Sequence, residues 1–166
     1  RPPAELKTQS SAFAKHPMAF VVAPGHALMS HPALDLATLA DARILVRERG
    51  SGTRTTVERL FKDGGHRLRI GSEMSSNEAI KQMCAAGVAF LSLHTCVLEM
   101  NAGLLELVPI ADNPIERDWH VIHLVARQLP QVASAFEQFL CEFGQEQITR
   151  HLLKTPTVGS GYQGSV

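Results

Sequence analysis

Arg47, Glu48, Arg49, Gly50, Ser51, Gly52, Thr53 and Arg54 follow one another in a stretch whose chemistry suits an anion. Guanidinium groups supply positive charge, the Ser51 and Thr53 hydroxyls supply donors, and two glycines leave room for a ligand to approach the main chain. If a helix begins here, its first N–H groups lack intrahelical partners and add to the attraction. The ligand would be a carboxylate, sulfate or phosphate. Both nucleotide motifs fail: G-x-x-x-x-G-K-[ST] is absent, and the third glycine of the dinucleotide fingerprint is replaced by Thr55. The same residues also fit a plainer role, in which Ser51 and Thr53 cap the helix and the arginines are solvated.

Two further polar stretches have the same character. Ser75, Ser76, Asn77 and Glu78 read as the opening of a helix, with Ser75 and Glu78 spaced as a capping box. Ser92, His94 and Thr95 follow a third apolar run. Nucleophilic catalysis at Ser51 has little support, because Gly50-Ser51-Gly52 lacks the G-x-S-x-G spacing and nothing ties a histidine or aspartate to it. Metal binding is also poorly supported. His120 and His123 fall in a strand, where an i, i+3 pair points to opposite faces.

These stretches need elements to position them. Met18 to Ala23 is an apolar run closed by Pro24-Gly25 and reads as a buried strand; Arg1 to Pro17 reads as irregular chain. Leu34 to Asp41 is expected as a short helix, Arg43 to Arg47 as a strand, and Val57, Leu60 and Phe61 as the apolar face of a helix ended by Gly64-Gly65. The cycle repeats. Arg67 to Met74 is a strand, the helix after it carries Ile80, Met83 and Cys84 inward, and Val88 to Leu91 is a third strand. Thr95 to Ala102 reads as a short helix and Leu104 to Val108 as a fourth strand. Alternation with short links predicts an α/β domain with a largely parallel sheet, in which polar residues past several strand ends gather along one edge.

Trp119 to Val125 breaks that rhythm as a longer strand, a candidate to cross from one sheet to another. Val132, Phe136, Phe139, Leu140 and Phe143 recur with helical spacing, so Gln131 to Phe143 is expected as an amphipathic helix, and the chain after Leu153 as a flexible tail.

Composition narrows the class of partner. With 45% hydrophobic and 19% charged residues, the 166-residue chain is neither disordered nor fibrous, and it has the material for a core. Sixteen basic residues balance sixteen acidic ones, too few to carry a sequence-independent grip on nucleic acid. Three cysteines, odd in number and widely spaced, suit reduced thiols in the cytoplasm. No apolar run approaches the roughly 20 residues a membrane span requires. A cytoplasmic protein with no membrane partner is the expected setting.

Several stretches together resemble the effector-binding domain of LysR-type transcriptional regulators, most of all the regulators of Calvin-cycle (RuBisCO) operons. They are Arg1-Pro2-Pro3, His16-Pro17 with Val21 to Leu28, Leu45 to Arg54, Ser76 to Gln82, Ala89 to Thr95, and Pro114 to Val121. The resemblance implies a type II periplasmic-binding-protein-like α/β fold of two lobes joined by crossover strands. Residues 1–33 would be a remnant of lobe one with the first crossover strand, 34–116 a complete lobe two, 117–153 the return strand and a lobe-one helix, and 154–166 a tail. The family's effector domain starts earlier, so the first lobe is expected to be incomplete here and the Val132-Phe136-Leu140 face exposed or covered by another chain. At Ala85 to Val88 the link from helix to strand is shorter than the family's.

Carried over by position, Arg47, Ser51, Gly52, Thr53, Arg54, Ser75, Ser76, Asn77, Ser92, His94 and Thr95 would line the effector site. The implied effector is a small anionic metabolite such as a sugar phosphate, phosphoenolpyruvate or NADPH, with no resident cofactor, no metal and no catalysis. The implied partners are that effector, further copies of the chain in a homodimer or homotetramer, and DNA only through a winged helix-turn-helix lying outside this chain. A stand-alone anion-binding protein of the same fold is the alternative, and a hydrolase with a Ser51 nucleophile is a third reading.

Overall fold

Apolar strands at the centre of a sheet, with helices between them, can be buried on both faces, and the computed structural model shows how this chain does so. It describes residues 6–31, 34–111 and 113–152, without the side chains of 151 and 152. The expected tail lies outside the described residues. Of those described, 17–115 form one compact unit and 6–16 with 116–152 a second.

The larger unit holds β2 (Met18–Val22), α1 (Leu36–Asp41), β3 (Ile44–Arg47), α2 (Gly52–Asp63), β4 (Ile70–Met74), α3 (Asn77–Gln82), β5 (Val88–Ser92), α4 (Val97–Asn101) and β6 (Glu106–Leu107). The sheet order is β4-β3-β5-β2-β6. β3 runs parallel to β4 and β5, while β2 alone runs against its neighbours β5 and β6. Every residue of β2 and β5 is buried, as expected for central strands covered on both faces. Alternation along the strands sorts the core in two. Met18, Phe20, Val22, Ile44, Val46, Val88 and Phe90 pack against Leu39, Val57 and Phe61 on one face. Ala19, Val21, Leu45, Ala89 and Leu91 pack against Ile80, Cys84 and Cys96 on the other.

Local chemistry sets the ends of these elements. Asp35 caps α1, its carboxylate accepting from Thr38 N at 2.7 Å. Gly50 sits at φ +92°, a conformation that favours glycine, and turns the chain from β3 toward α2. A Cβ at Gly87 would lie 2.7 Å from the Arg43 carbonyl oxygen, so the short link into β5 depends on glycine for close approach.

Several expectations are corrected. The helix-opening capping box at Ser75 does not form: β4 ends at Met74 and Ser76 is the N-cap, accepting from Ala79 N at 3.4 Å, while Glu78 turns to Lys81. The strand expected from Arg67 begins at Ile70, and the strand expected over Leu104 to Val108 shrinks to Glu106–Leu107. The segment after β5 is a 3-10 turn over Leu93–Thr95 followed by α4, not one helix from Thr95.

In the smaller unit, β1 (Thr8–Lys15) pairs antiparallel with β7 (Asp118–Leu124), and α5 (Gln131–Leu152) packs on β1. Thr8–Lys15 was expected to be irregular. Its residues carry little strand signal, and the pairing partner more than a hundred positions away supplies the ladder. The register shifts between Ala12 and Ala14, and Phe13 there reaches Gly144 so closely that a Cβ on the glycine would lie 2.8 Å from the ring. Lys15 N donates to Gln145 Oε1 at 2.6 Å. The α5 helix runs beyond Phe143 to Leu152, and Val132 and Phe136 on it are exposed.

Candidate functional site

The parallel strands β4, β3 and β5 are neighbours, so their C-terminal ends open on one sheet edge. Arg47 is the register partner of Met74, and the pairing of Ile44 with Val88 carried along the strand puts Arg47 level with Leu91. The three polar stretches therefore leave the sheet side by side.

The turn from β3 to α2 keeps its donors available. Ser51 holds the N-cap position with extended backbone, yet its side chain makes no capping bond, so the α2 N-terminus is not closed by its own cap residue. Neither the Ser51 nor the Thr53 hydroxyl is engaged by a described residue. A Cβ added at Gly52 would meet nothing within 4 Å, which shows open space beside the first turn. Arg49 is exposed.

Its two other arginines are committed. Arg47 donates through Nε and Nη2 to Glu48 at 2.8 and 3.0 Å, and through Nη1 to Asn77 Oδ1 at 2.7 Å. This last bond ties the end of β3 to the start of α3, two of the three stretches. Arg54 departs from the expected free guanidinium. It is 3% exposed, donating to Glu58 at 2.5 Å, to Glu73 at 3.1 Å and to the Arg47 carbonyl at 3.1 Å. Burial of that charge is tolerated because Nε and Nη1 meet acceptors, two of them carboxylates. Through these bonds Arg54 braces the turn between β3 and α2.

The third stretch is spent inwardly. Ser92 is buried, and the Thr95 hydroxyl donates to the Ser92 carbonyl at 2.8 Å. Both ring nitrogens of His94 are buried, and burial pushes its imidazole below the usual histidine range, leaving it neutral at pH 7. Lys81 Nζ donates to the Thr95 carbonyl at 3.0 Å and to Glu99 at 2.6 Å, and lies 2.8 Å from Glu78. Burial works against the Lys81 ammonium, but hydrogen bonds and charge from Glu78 and Glu99 outweigh it and raise its pKa. The same balance runs the other way at Glu99: burial raises its pKa, and Lys81 more than offsets this and lowers it.

Sequence reasoning thus named residues on all three tips but missed what fixes them. The sequence pattern offers Glu78 only as a capping-box partner of Ser75 and gives Lys81 no role, whereas Lys81 is 8% exposed and bridges α3 to the turn after β5. Asn113 was missed too: it brackets Phe20 with bonds of 3.0 and 3.2 Å and reaches the Val108 carbonyl at 2.7 Å, tying β2 to the chain that follows β6. Among the described residues no group of three metal-ligating side chains converges, and no helix is long and apolar enough to cross a membrane.

Comparison with known proteins places this architecture. The LysR substrate binding domain family matches residues 1–144. The HTH-type transcriptional regulator CfxR of Cupriavidus necator is 39% identical over 152 residues, covering 90% of this chain and 48% of that protein. The HTH-type transcriptional regulator CbbR of Sinorhizobium medicae is 37% identical over 147 residues, covering 87% and 47%. A RuBisCO operon transcriptional regulator of Allochromatium vinosum is 34% identical over 141 residues, covering 84% and 47%. The chain spans about half the length of these curated relatives. Among solved structures, the regulatory domain of CcmR from Synechocystis PCC6803 in complex with 2-PG is 33% identical, with a TM-score of 0.76 over 86% of this chain and 69% of that one. The effector binding domain of QuiR in complex with shikimate, 19% identical, shares the fold at a TM-score of 0.74 over 92% and 71%. The α/β architecture is type II periplasmic-binding-protein-like, as the resemblance implied. On a family match that runs through most of its length, this chain belongs to the LysR substrate binding domain family.

Proposed function

We propose that the chain is the effector-sensing part of a LysR-type transcriptional regulator of carbon-fixation genes, and that its effector is a small anionic metabolite held at the C-terminal edge of β4, β3 and β5. The observation that carries this reading is the turn from β3 to α2: an uncapped helix start, two unspent hydroxyls and open space at Gly52, braced from below by the Arg54 carboxylate pairs. Relatives named as RuBisCO operon regulators support the genetic context, and a relative solved with 2-PG supports an anion.

Ser51, Gly52 and Thr53 supply donors, while Arg47 and Asn77 border the group they bind. Ser75 and Ser76 adjoin the same edge, with Ser76 engaged as a cap. Ser92, His94 and Thr95 shape the neighbouring wall. The site binds and makes no bond. Ser51 has no hydrogen-bonded base among the described residues, and an unactivated serine is a weak nucleophile. Recognition needs no resident cofactor or metal.

Effector binding shifts the population of conformations of the regulatory domain, and helix-turn-helix segments of the full regulator read that shift on DNA. Such a regulator works in the cytoplasm as a homodimer or homotetramer. Calorimetric titration of the full chain with 2-phosphoglycolate, phosphoenolpyruvate, ribulose bisphosphate and NADPH tests the reading. Saturable binding of at least one, weakened about tenfold or more in S51A/T53A, is expected from the loss of two hydrogen bonds to a charged group. No binding of any of them, or equal affinity in the variant, contradicts it.

A further inference from the structure

This inference rests on the anion reading above and concerns how the anion gains its cationic partner. Arg47 ends β3 beside the proposed site, yet all three nitrogens of its guanidinium already donate to the chain itself. Nε and Nη2 make a two-pronged contact with the Glu48 carboxylate at 2.8 and 3.0 Å, and Nη1 holds Asn77. A paired N–H fork of this kind is what a ligand carboxylate or phosphate would seek from the same guanidinium.

The contact is a product of where the strand stops. Consecutive residues of a strand point to opposite faces, so Glu48 could not reach Arg47 if β3 continued. β3 ends at Arg47. Beyond it, Glu48 N donates to the Met74 carbonyl at 3.0 Å and the Glu48 carbonyl accepts from Ser51 N at 3.2 Å, a turn that lets the carboxylate fold back on its neighbour. The pair is placed to exchange. The Arg47 side chain is 20% exposed and that of Glu48 is 40% exposed, in contrast to Arg54 at 3%. Arg54 meets Glu58 and Glu73 from a sealed position, so of the two it is Arg47 that an incoming anion can reach.

We propose that Glu48 is an internal competitor that stands in for the effector's anionic group on Arg47. An anion binds by displacing the Glu48 carboxylate from the two N–H groups while Asn77 keeps the third donor fixed. This selects ligands with two acceptor oxygens able to span the fork, and it disfavours a single-point acceptor such as a halide. It also lowers affinity below what the donors alone would give.

Titration of 2-phosphoglycolate, and of inorganic phosphate, into wild type, E48Q, R47M and R47M/E48Q in low-salt buffer tests this. E48Q removes the competing charge and keeps the size of the side chain. Tighter binding by E48Q, up to about fivefold, is expected from the modest strength of an exposed ion pair, and the gain should vanish in the R47M background. Misfolding cannot produce such a gain. Wild-type binding with equal or weaker affinity in E48Q overturns the competitor role and leaves the anion reading standing. A gain that persists without Arg47 overturns it as well, because it would report general charge removal. Absence of binding by both wild type and E48Q overturns the anion reading and this inference with it.

Discussion

The turn after β3 and the turn after β5 leave adjacent parallel strands at the same sheet edge, and both are rich in hydroxyls and small polar groups. They differ in where those groups are spent. After β5, the Thr95 hydroxyl closes on Ser92, the Thr95 carbonyl takes Lys81, and Cys96 is fully buried. After β3, the Ser51 and Thr53 hydroxyls remain unspent and the helix start is uncapped, while the bonding is concentrated beneath, on Arg54. The polar groups of one turn are consumed within the fold, while hydroxyls of the other stay available, and this contrast underlies the proposed binding role. Polar composition alone does not separate them; the destination of each hydrogen bond does.

The largest effect that separates the two turns is thiol reactivity. Burial pushes the Cys96 thiol up to about 11 and the Cys84 thiol to about 12, so at pH 8 in the native state Cys96 should label on the order of 100-fold more slowly than an ordinary free thiol. T53C, in the open turn, should label readily, as should exposed Cys141. Fast native labelling of Cys96 would show that the closed turn opens.

A smaller but still substantial effect is expected at Lys81, the residue that closes the second turn. K81M leaves Glu99 partly buried without its cation and should destabilise the chain by about 2–3 kcal/mol in chemical denaturation. The pH dependence follows from the directions of the two shifts. Raised Lys81 contributes stability below its unfolded value near 10.5 and loses it as pH rises through the folded pKa. Lowered Glu99 contributes above its unfolded value near 4.5 and loses it as pH falls through the folded pKa. The gap between wild type and K81M should therefore be widest from about pH 5 to 10 and narrow on both sides. A gap that does not change with pH would assign the loss to packing alone.

The smallest contrast is between two serines at helix starts. S76A removes a capping bond, although a long one, and should cost about 0.5–1 kcal/mol. S51A removes none, and its melting should stay within about 0.5 kcal/mol of wild type. Equal losses in the two variants would mean that Ser51 caps α2 after all.

How much of this could be read from the chain depends on the range of the interaction. β2 and β5 were legible, expected over Met18 to Ala23 and Val88 to Leu91, because central strands carry unbroken apolar runs. Thr8–Lys15 was not, since its ladder partner lies more than a hundred residues away. The capping serine was misplaced by one residue because Ser75 and Ser76 are chemically alike, and only the end of β4 at Met74 chooses between them. The arginines of the first turn were legible as charges but not as partners. Glu73 meets Arg54 only once β3 and β4 are aligned, and Asn77 meets Arg47 for the same reason.

Amide-resolved NMR of the full chain titrated with 2-phosphoglycolate tests the central contrast most directly. The largest shift changes are predicted at Gly52, Thr53 and Arg54, with those of His94, Thr95 and Cys96 small. Largest changes at His94 to Cys96, with the Gly52 to Arg54 amides unmoved, would contradict the assignment of the open turn as the binding element.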